Sequence, residues 1–167
     1  MQFSVGDKVV HPHHGPGRVV LVERKELMDG TKRYYVIDIP GQGLTVQVPV
    51  RRAKEVGMRP AMPQARLLKV WTTLRGRPRR LPEDYKERQE EIWALLKTGR
   101  AMQLARVVRD LSGHRERAHL TRKDTEYLKL GQGLLAAEMA LVSEDDVSDV
   151  SDLIDSAVSD AAASEVA

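Results

Sequence analysis

The chain has 167 residues, 41% of them apolar, so it can build one domain or two small ones but no large core. It has no cysteine, which excludes disulfides and thiolate metal sites. Its 27 Lys and Arg outnumber 24 Asp and Glu only slightly, but the charges are unevenly placed. Glu144, Asp145, Asp146, Asp149, Asp152, Asp155, Asp160 and Glu165 face no Lys or Arg beyond position 143. The first 143 positions therefore hold 27 basic and 16 acidic residues, a net +11. A basic body with an acidic tail is a charge split that often marks a nucleic-acid binder with an interaction tail, ordinary solubility being the alternative. No apolar run approaches the roughly 20 residues that cross a bilayer. Asp7 and Lys8 interrupt the first segment, so no secretion signal is read and the cytoplasm is the expected location.

Taken in chain order, Phe3–Val10 alternates weakly, with Phe3, Val5 and Val9 on one side, as a half-buried strand does. A Gly/Pro turn through Gly15, Pro16 and Gly17 follows. Arg18–Arg24 is a second strand, nearly continuous in apolar residues. Asp29-Gly30 is a hairpin signal, because both residues tolerate positive φ. Lys32–Ile39 is a third strand with Tyr35, Ile37 and Ile39 on one face. Gly41 and Gly43 turn the chain into a fourth strand, Leu44–Val48, which Pro49 ends because it cannot donate to a ladder. Strands joined by short turns over about 55 residues predict an SH3-like or Tudor-like barrel.

Pro60, Met62 and Pro63 read as a linker, and beyond them the apolar period becomes helical. Leu67, Val70, Trp71 and Leu74 share one face of a first helix. Arg75-Gly76-Arg77-Pro78-Arg79-Arg80 is a basic loop whose arginines suit phosphate. A second helix opens at Pro82 and runs to Lys97 or Thr98, with Ile92, Trp93, Leu95 and Leu96 on its core face and Gly99 as its stop. A third helix spans Ala101–Leu111. Thr121 and Asp124 resemble a capping box that opens a fourth helix over about Arg122–Val142. Gly131 and Gly133 weaken that helix by roughly 1 kcal/mol each relative to Ala. Both tryptophans lie among aliphatic residues at helical spacing and are expected in the core. The tail reads as either an acidic amphipathic helix or a disordered segment. The fold class is therefore α+β: a small β-barrel at 1–59, a linker at 60–65, a helical bundle at 66–143 and an acidic tail at 144–167.

His11, His13 and His14 have no chelating spacing and no accompanying carboxylate cluster, so no metal is expected. The chain has no Gly-rich phosphate loop followed by Lys-Ser/Thr, no nucleophile elbow and no zinc helix motif. No enzyme, cofactor or small-molecule substrate is expected.

One set of residues carries a family resemblance. Phe3-x-Val5-Gly6-Asp7-x-Val9-Val10-x-Pro12-x-His14-Gly15, then Tyr34 to Val36, Leu44-Thr45-Val46-x-Val48-Pro49 and Val56-Gly57-x-Arg59 resemble the CarD family. The likeness continues through Gly99, Val107-Val108-Arg109-Asp110-Leu111 and the fourth helix, and covers about residues 1–143. It implies a Tudor-like domain that binds the β subunit of bacterial RNA polymerase, and a helical domain that touches promoter DNA at the upstream edge of the melted region. In the family two arginines on neighbouring strands often contact polymerase; the matching residues here are Lys25 and Gln47, beside a docking strand of Thr45, Val46, Gln47 and Val48. The family's minor-groove wedge is usually Trp; the matching residue here is Tyr85. Lys86 and Arg88 after it, and Arg79 and Arg80 before it, are the expected DNA contacts. The resemblance implies a nucleoid-associated regulator that acts as a monomer and stabilises the open promoter complex. An adaptor between proteins, without DNA binding, is the alternative.

Overall fold

The computed structural model describes residues 2–166, with side chains through Ser164, so the side chain of Glu165 and the final Ala167 lie outside the described residues. The chain divides into two compact units, one through Ala61 and one from Met62 onward.

The first unit is a five-stranded antiparallel sheet. Its strands are β1 (Lys8–His11), β2 (Gly15–Leu27), β3 (Gly30–Ile39), β4 (Leu44–Pro49) and β5 (Arg59–Pro60), in the order β4-β3-β2-β1-β5. β2 and β3 are longer than the apolar pattern suggests. Their outer halves pair Arg24 with Arg33 and Lys25 with Lys32 in a ribbon beyond the core, where alternation carries no burial signal. The turn falls on Met28 and Asp29, one residue earlier than an Asp29-Gly30 turn pair, and Gly30 at φ +112° pairs with Leu27. On the inner face, Val9, Val19, Tyr35, Ile37, Ile39 and Val48 are buried as the period of two requires. Phe3 closes this core edge-on against Tyr35, at 5.6 Å between ring centroids, and its N–H donates to the Tyr35 hydroxyl at 2.9 Å. A four-residue helix, α1 (Ala53–Val56), and the two-residue β5 were not apparent in the sequence; both are too short to show a period.

The second unit holds α2 (Leu67–Arg75), α3 (Tyr85–Leu96), α4 (Ala101–Arg117), α5 (Arg122–Ser143) and α6 (Val147–Val166). α4 contacts α2, α3, α5 and α6, and its Leu104, Val107, Val108 and Leu111 form the centre of the core. The expected capping box opens α5: Thr121 N–H donates to Asp124 Oδ2 at 2.9 Å, and Asp124 N–H donates to Thr121 Oγ1 at 3.1 Å. The two α5 glycines differ. A Cβ on Gly131 would lie 3.3 Å from Leu96 and 3.4 Å from Val107, so this glycine permits close helix contact, whereas Gly133 is exposed with open space around it. The acidic tail forms α6, which buries Val150, Ile154, Ala157, Val158 and Ala162 against α2, α4 and α5.

Candidate functional site

The first unit presents a sheet edge. β4 is the last strand in the order, paired to β3 on one side only. Its alternation turns Thr45 and Gln47 outward, while Val46 packs on the core and Val48 is buried. Val46 and Val48 therefore turn their side chains to the core rather than to a partner. A polar cluster covers the outer face beside this edge. Lys25 Nζ donates to Gln47 Oε1 at 2.6 Å, lies 3.8 Å from Glu23 Oε2 and sits 5.6 Å from the Tyr34 ring centroid. The two positions expected to work together are thus in direct contact, across β2 and β4. At the opposite turn His11 is buried, and its Nδ1 accepts from the N–H groups of His13 at 3.1 Å and His14 at 3.2 Å. Burial, with His14 and His13 nearby, holds its pKa below the usual imidazole value.

The second unit presents the start of α3. Asp84 caps it, accepting from Glu87 N–H at 3.4 Å, which leaves Tyr85 as the first helical residue and 51% exposed. Lys86 is exposed beside it. Arg88 corrects the sequence reading, because it is not available to DNA. It is buried, its Nη2 and Nε donate to the two oxygens of Asp124 at 2.7 and 3.2 Å, and its Nη1 donates to the carbonyls of Pro82 and Glu83. Arg88, Ile92 and Leu96 are spaced i, i+4, i+8 on the buried stripe, which is the signal that could have placed Arg88 inside. Burial pushes the Asp124 carboxyl up, but the Arg88 and Thr121 hydrogen bonds outweigh it and hold it below the usual carboxylate range. Neighbouring His114 is held below the imidazole value, first by burial and then by the Arg88 charge.

Arg79 is also committed. Its guanidinium reaches Glu91 at 2.6 Å, and its backbone N–H donates to buried Asp110 at 2.9 Å. Arg80 forms a looser pair with Glu83 at 3.6 Å and stays exposed. Trp93, expected in the core, is 47% exposed. It stacks on Tyr127 of α5, with centroids 5.8 Å apart and planes at 19°, and Lys123 Nζ lies 5.1 Å from the Tyr127 ring centroid. Trp93 sits at the flank of the apolar stripe, where helical spacing does not separate core from surface. Trp71 is half-buried, with the Arg75 guanidinium 5.4 Å from its ring centroid.

A sheet with an open edge and a helical unit that exposes aromatic side chains define a two-module binding protein of α+β class. Among the described residues no cluster of three or more His, Cys, Asp or Glu is placed to hold a metal, and no helix is long and apolar enough to cross a membrane. Residues 3–62 match the family described as "CarD-like/TRCF RID domain", and residues 69–155 match "CarD, C-terminal domain". The chain belongs to the CarD family: it is a CarD-type transcription factor that carries an RNA polymerase-interacting domain. The second match runs to residue 155, so the family likeness extends past residue 143 into α6. YdeB of Bacillus subtilis (strain 168), whose name describes a candidate transcription factor, is 28% identical over 141 residues, covering 84% of this chain and 92% of YdeB. The solution structure of the 72-residue N-terminal domain of Myxococcus xanthus CarD is 30% identical, covering 35% of this chain and 79% of that one, with a TM-score of 0.31.

Proposed function

We propose that this chain binds the RNA polymerase β subunit through the β4 edge and the Lys25–Gln47 pair, and stabilises the promoter open complex by minor-groove contact from Tyr85. A strand at a sheet edge can extend into a partner's sheet by main-chain hydrogen bonds, with flanking side chains setting specificity. Lys25 and Gln47 supply charge and hydrogen bonding there, but not the bidentate fork of arginine. The observation that carries the DNA half is the exposure of Tyr85 at the very start of α3, with Trp93 exposed further along the same helix and stacked on half-buried Tyr127 of α5. An aromatic wedge unstacks a base step at a cost of a few kcal/mol, offset by contacts in the bent duplex. Contacts made only with opened DNA shift the closed/open equilibrium toward the open form. The protein acts here as a monomer bound to polymerase in the bacterial nucleoid. Tyr85→Ala is expected to reduce transcription from a weak promoter and leave polymerase recovery intact; equal activity of variant and parent refutes the wedge.

A second reading is an adaptor without DNA binding. It draws on the pairing of Arg79 with Glu91 and of Arg80 with Glu83, and on the exposed Glu87, Glu90 and Glu91 of α3. A salt series of promoter-DNA binding separates the two. A steep fall in affinity with salt supports DNA contact, and no binding at low salt supports the adaptor.

A further inference from the structure

The β2–β3 ribbon sets like charges directly opposite one another, Arg24 against Arg33 and Lys25 against Lys32. Such opposed pairs are unfavourable. On the outer face the repulsion is offset, because Lys25 is held by Gln47 and Glu23, and Lys32 by Asp29. On the other face it is not. Arg24 lies two residues past Val22, which packs on the core, and Arg33 lies two residues before buried Tyr35. Both arginines therefore continue the core side of the sheet beyond the end of the core. Both are exposed, and among the described residues neither has an ion pair or a side-chain hydrogen bond. Glu26, the acid on this face, stands opposite Thr31 nearer the tip and pairs with neither of them. Tyr34 stands opposite Pro49, so the same register carries Arg33 alongside Val50, which opens a short 3-10 turn (Val50–Arg52) in contact with β3. That turn adds exposed Arg51, also without a partner among the described residues, and Arg52, which pairs with Glu55.

We infer that this core-side face of the ribbon is a clamp for the backbone of duplex DNA: Arg24 and Arg33 straddle one phosphate, and Arg51 takes a neighbouring one. The inference is independent of Tyr85, because it concerns the β unit alone. A ribbon side chain points to one face only, so docking through Lys25 and Gln47 does not use these arginines. Directly opposed residues have Cβ atoms about 5 Å apart, so two guanidinium forks reach one anion from both sides. A phosphate offers oxygens to both forks, whereas one bidentate arginine fills a carboxylate. A protein partner also needs an anchor, since the centre of an interface is built on buried aromatic or aliphatic side chains. Exposed Leu27 lies on the Lys25 face, opposite Gly30, and Met28 lies in the turn, so the arginine face presents charge without an anchor. Its aromatic residue, Tyr35, is buried, so an unpaired base has no ring to stack on, which favours a duplex over a single strand. A two-stranded ribbon is also slim enough to enter the major groove, where phosphates line both walls.

The test is a salt series of binding to a fully paired duplex of arbitrary sequence, using the full chain. The variants are Arg24→Gln/Arg33→Gln and Arg51→Gln. Lys32→Gln, which removes a charge from the other face of the ribbon, is the control. Each phosphate contact contributes about 0.9 to the slope of log affinity against log salt, so the double variant and Arg51→Gln are each expected to lower the slope by about 1, with the control unchanged. The double variant should melt at or above the parent's temperature, because it relieves a repulsion. A lower melting temperature with an unchanged DNA slope makes the two arginines part of the scaffold and overturns the clamp. A parent that does not bind the paired duplex overturns it as well, and leaves the Tyr85 reading, which concerns opened DNA, standing. Tyr85→Ala should keep the parental slope on this duplex, so the two readings fail separately. Loss of the double variant from polymerase, with its DNA slope unchanged, makes this face a site for an acidic protein surface and rejects the assignment to DNA.

Discussion

The two units both carry exposed ion pairs but differ in the charge they bury. In the β unit Lys25 with Glu23, Lys32 with Asp29 and Arg52 with Glu55 are exposed ion pairs, and among the described residues the buried polar side chain is His11. In the helical unit Arg88, Asp110, His114, Asp124 and Glu138 are all buried, and Glu138 accepts the backbone N–H of Met62 at 2.9 Å. Exposed pairs contribute little to stability and stay available to a partner. A buried pair is fixed by its surroundings, and breaking it leaves an uncompensated charge. A charged residue in the sheet is therefore a candidate contact, whereas one in the bundle is often part of the scaffold.

The largest effect should come from breaking the scaffold pair. Asp124→Ala strands the Arg88 guanidinium and removes half of the capping box, so the helical unit should lose about 3–5 kcal/mol in denaturant unfolding. A loss below about 1 kcal/mol, the range of exposed pairs, would erase the contrast between the units. Gly113→Ala should cost about 1–3 kcal/mol, because the added methyl meets Pro78. Unchanged stability would show that the segment carrying Arg77 and Arg80 is loosely held. Gly133→Ala should instead stabilise by up to about 1 kcal/mol, since it adds helix propensity at an open position. The pH response sharpens the comparison further. His11 in one unit and His114 in the other both have folded-state pKa values below 6.5, so the fold favours the neutral ring. Their stabilisation is complete above pH 6.5 and declines as pH falls through the lower folded-state values. Melting temperatures of the parent should drop below pH 6.5, and His11→Gln should flatten that drop in the β unit. The smallest effect belongs to Lys25→Ala, within about 0.5 kcal/mol of the parent in stability, with the loss falling on polymerase binding.

Much of this arrangement can be read in the residues. Tyr35, Ile37 and Ile39 alternate cleanly because their strand is half-buried, and Thr121 and Asp124 announce a cap because the motif is local. Three features were misread or missed. Arg88 looks like a cation in a charged helix, because its partner Asp124 lies 36 positions away and only tertiary contact joins them. Trp93 has the spacing of a core residue, but stacking on Tyr127 depends on how α3 and α5 pack. The long β2–β3 ribbon pairs charged residues that no burial pattern marks. The Arg75–Arg80 run was legible as a basic loop, but the commitment of Arg79 to Glu91 and Asp110, and the arrival of Arg117 beside Arg77, depend on the packing of α4.

The separation of duties between the units can be tested in one experiment: the lifetime of polymerase–promoter open complexes, measured with the amount of this protein retained on them. Tyr85→Ala should remain bound and fail to lengthen the lifetime, whereas Lys25→Glu should be lost from the complex and fail with it. Release of Tyr85→Ala from polymerase, or a lengthened lifetime with Lys25→Glu, would contradict the assignment of one task to each unit.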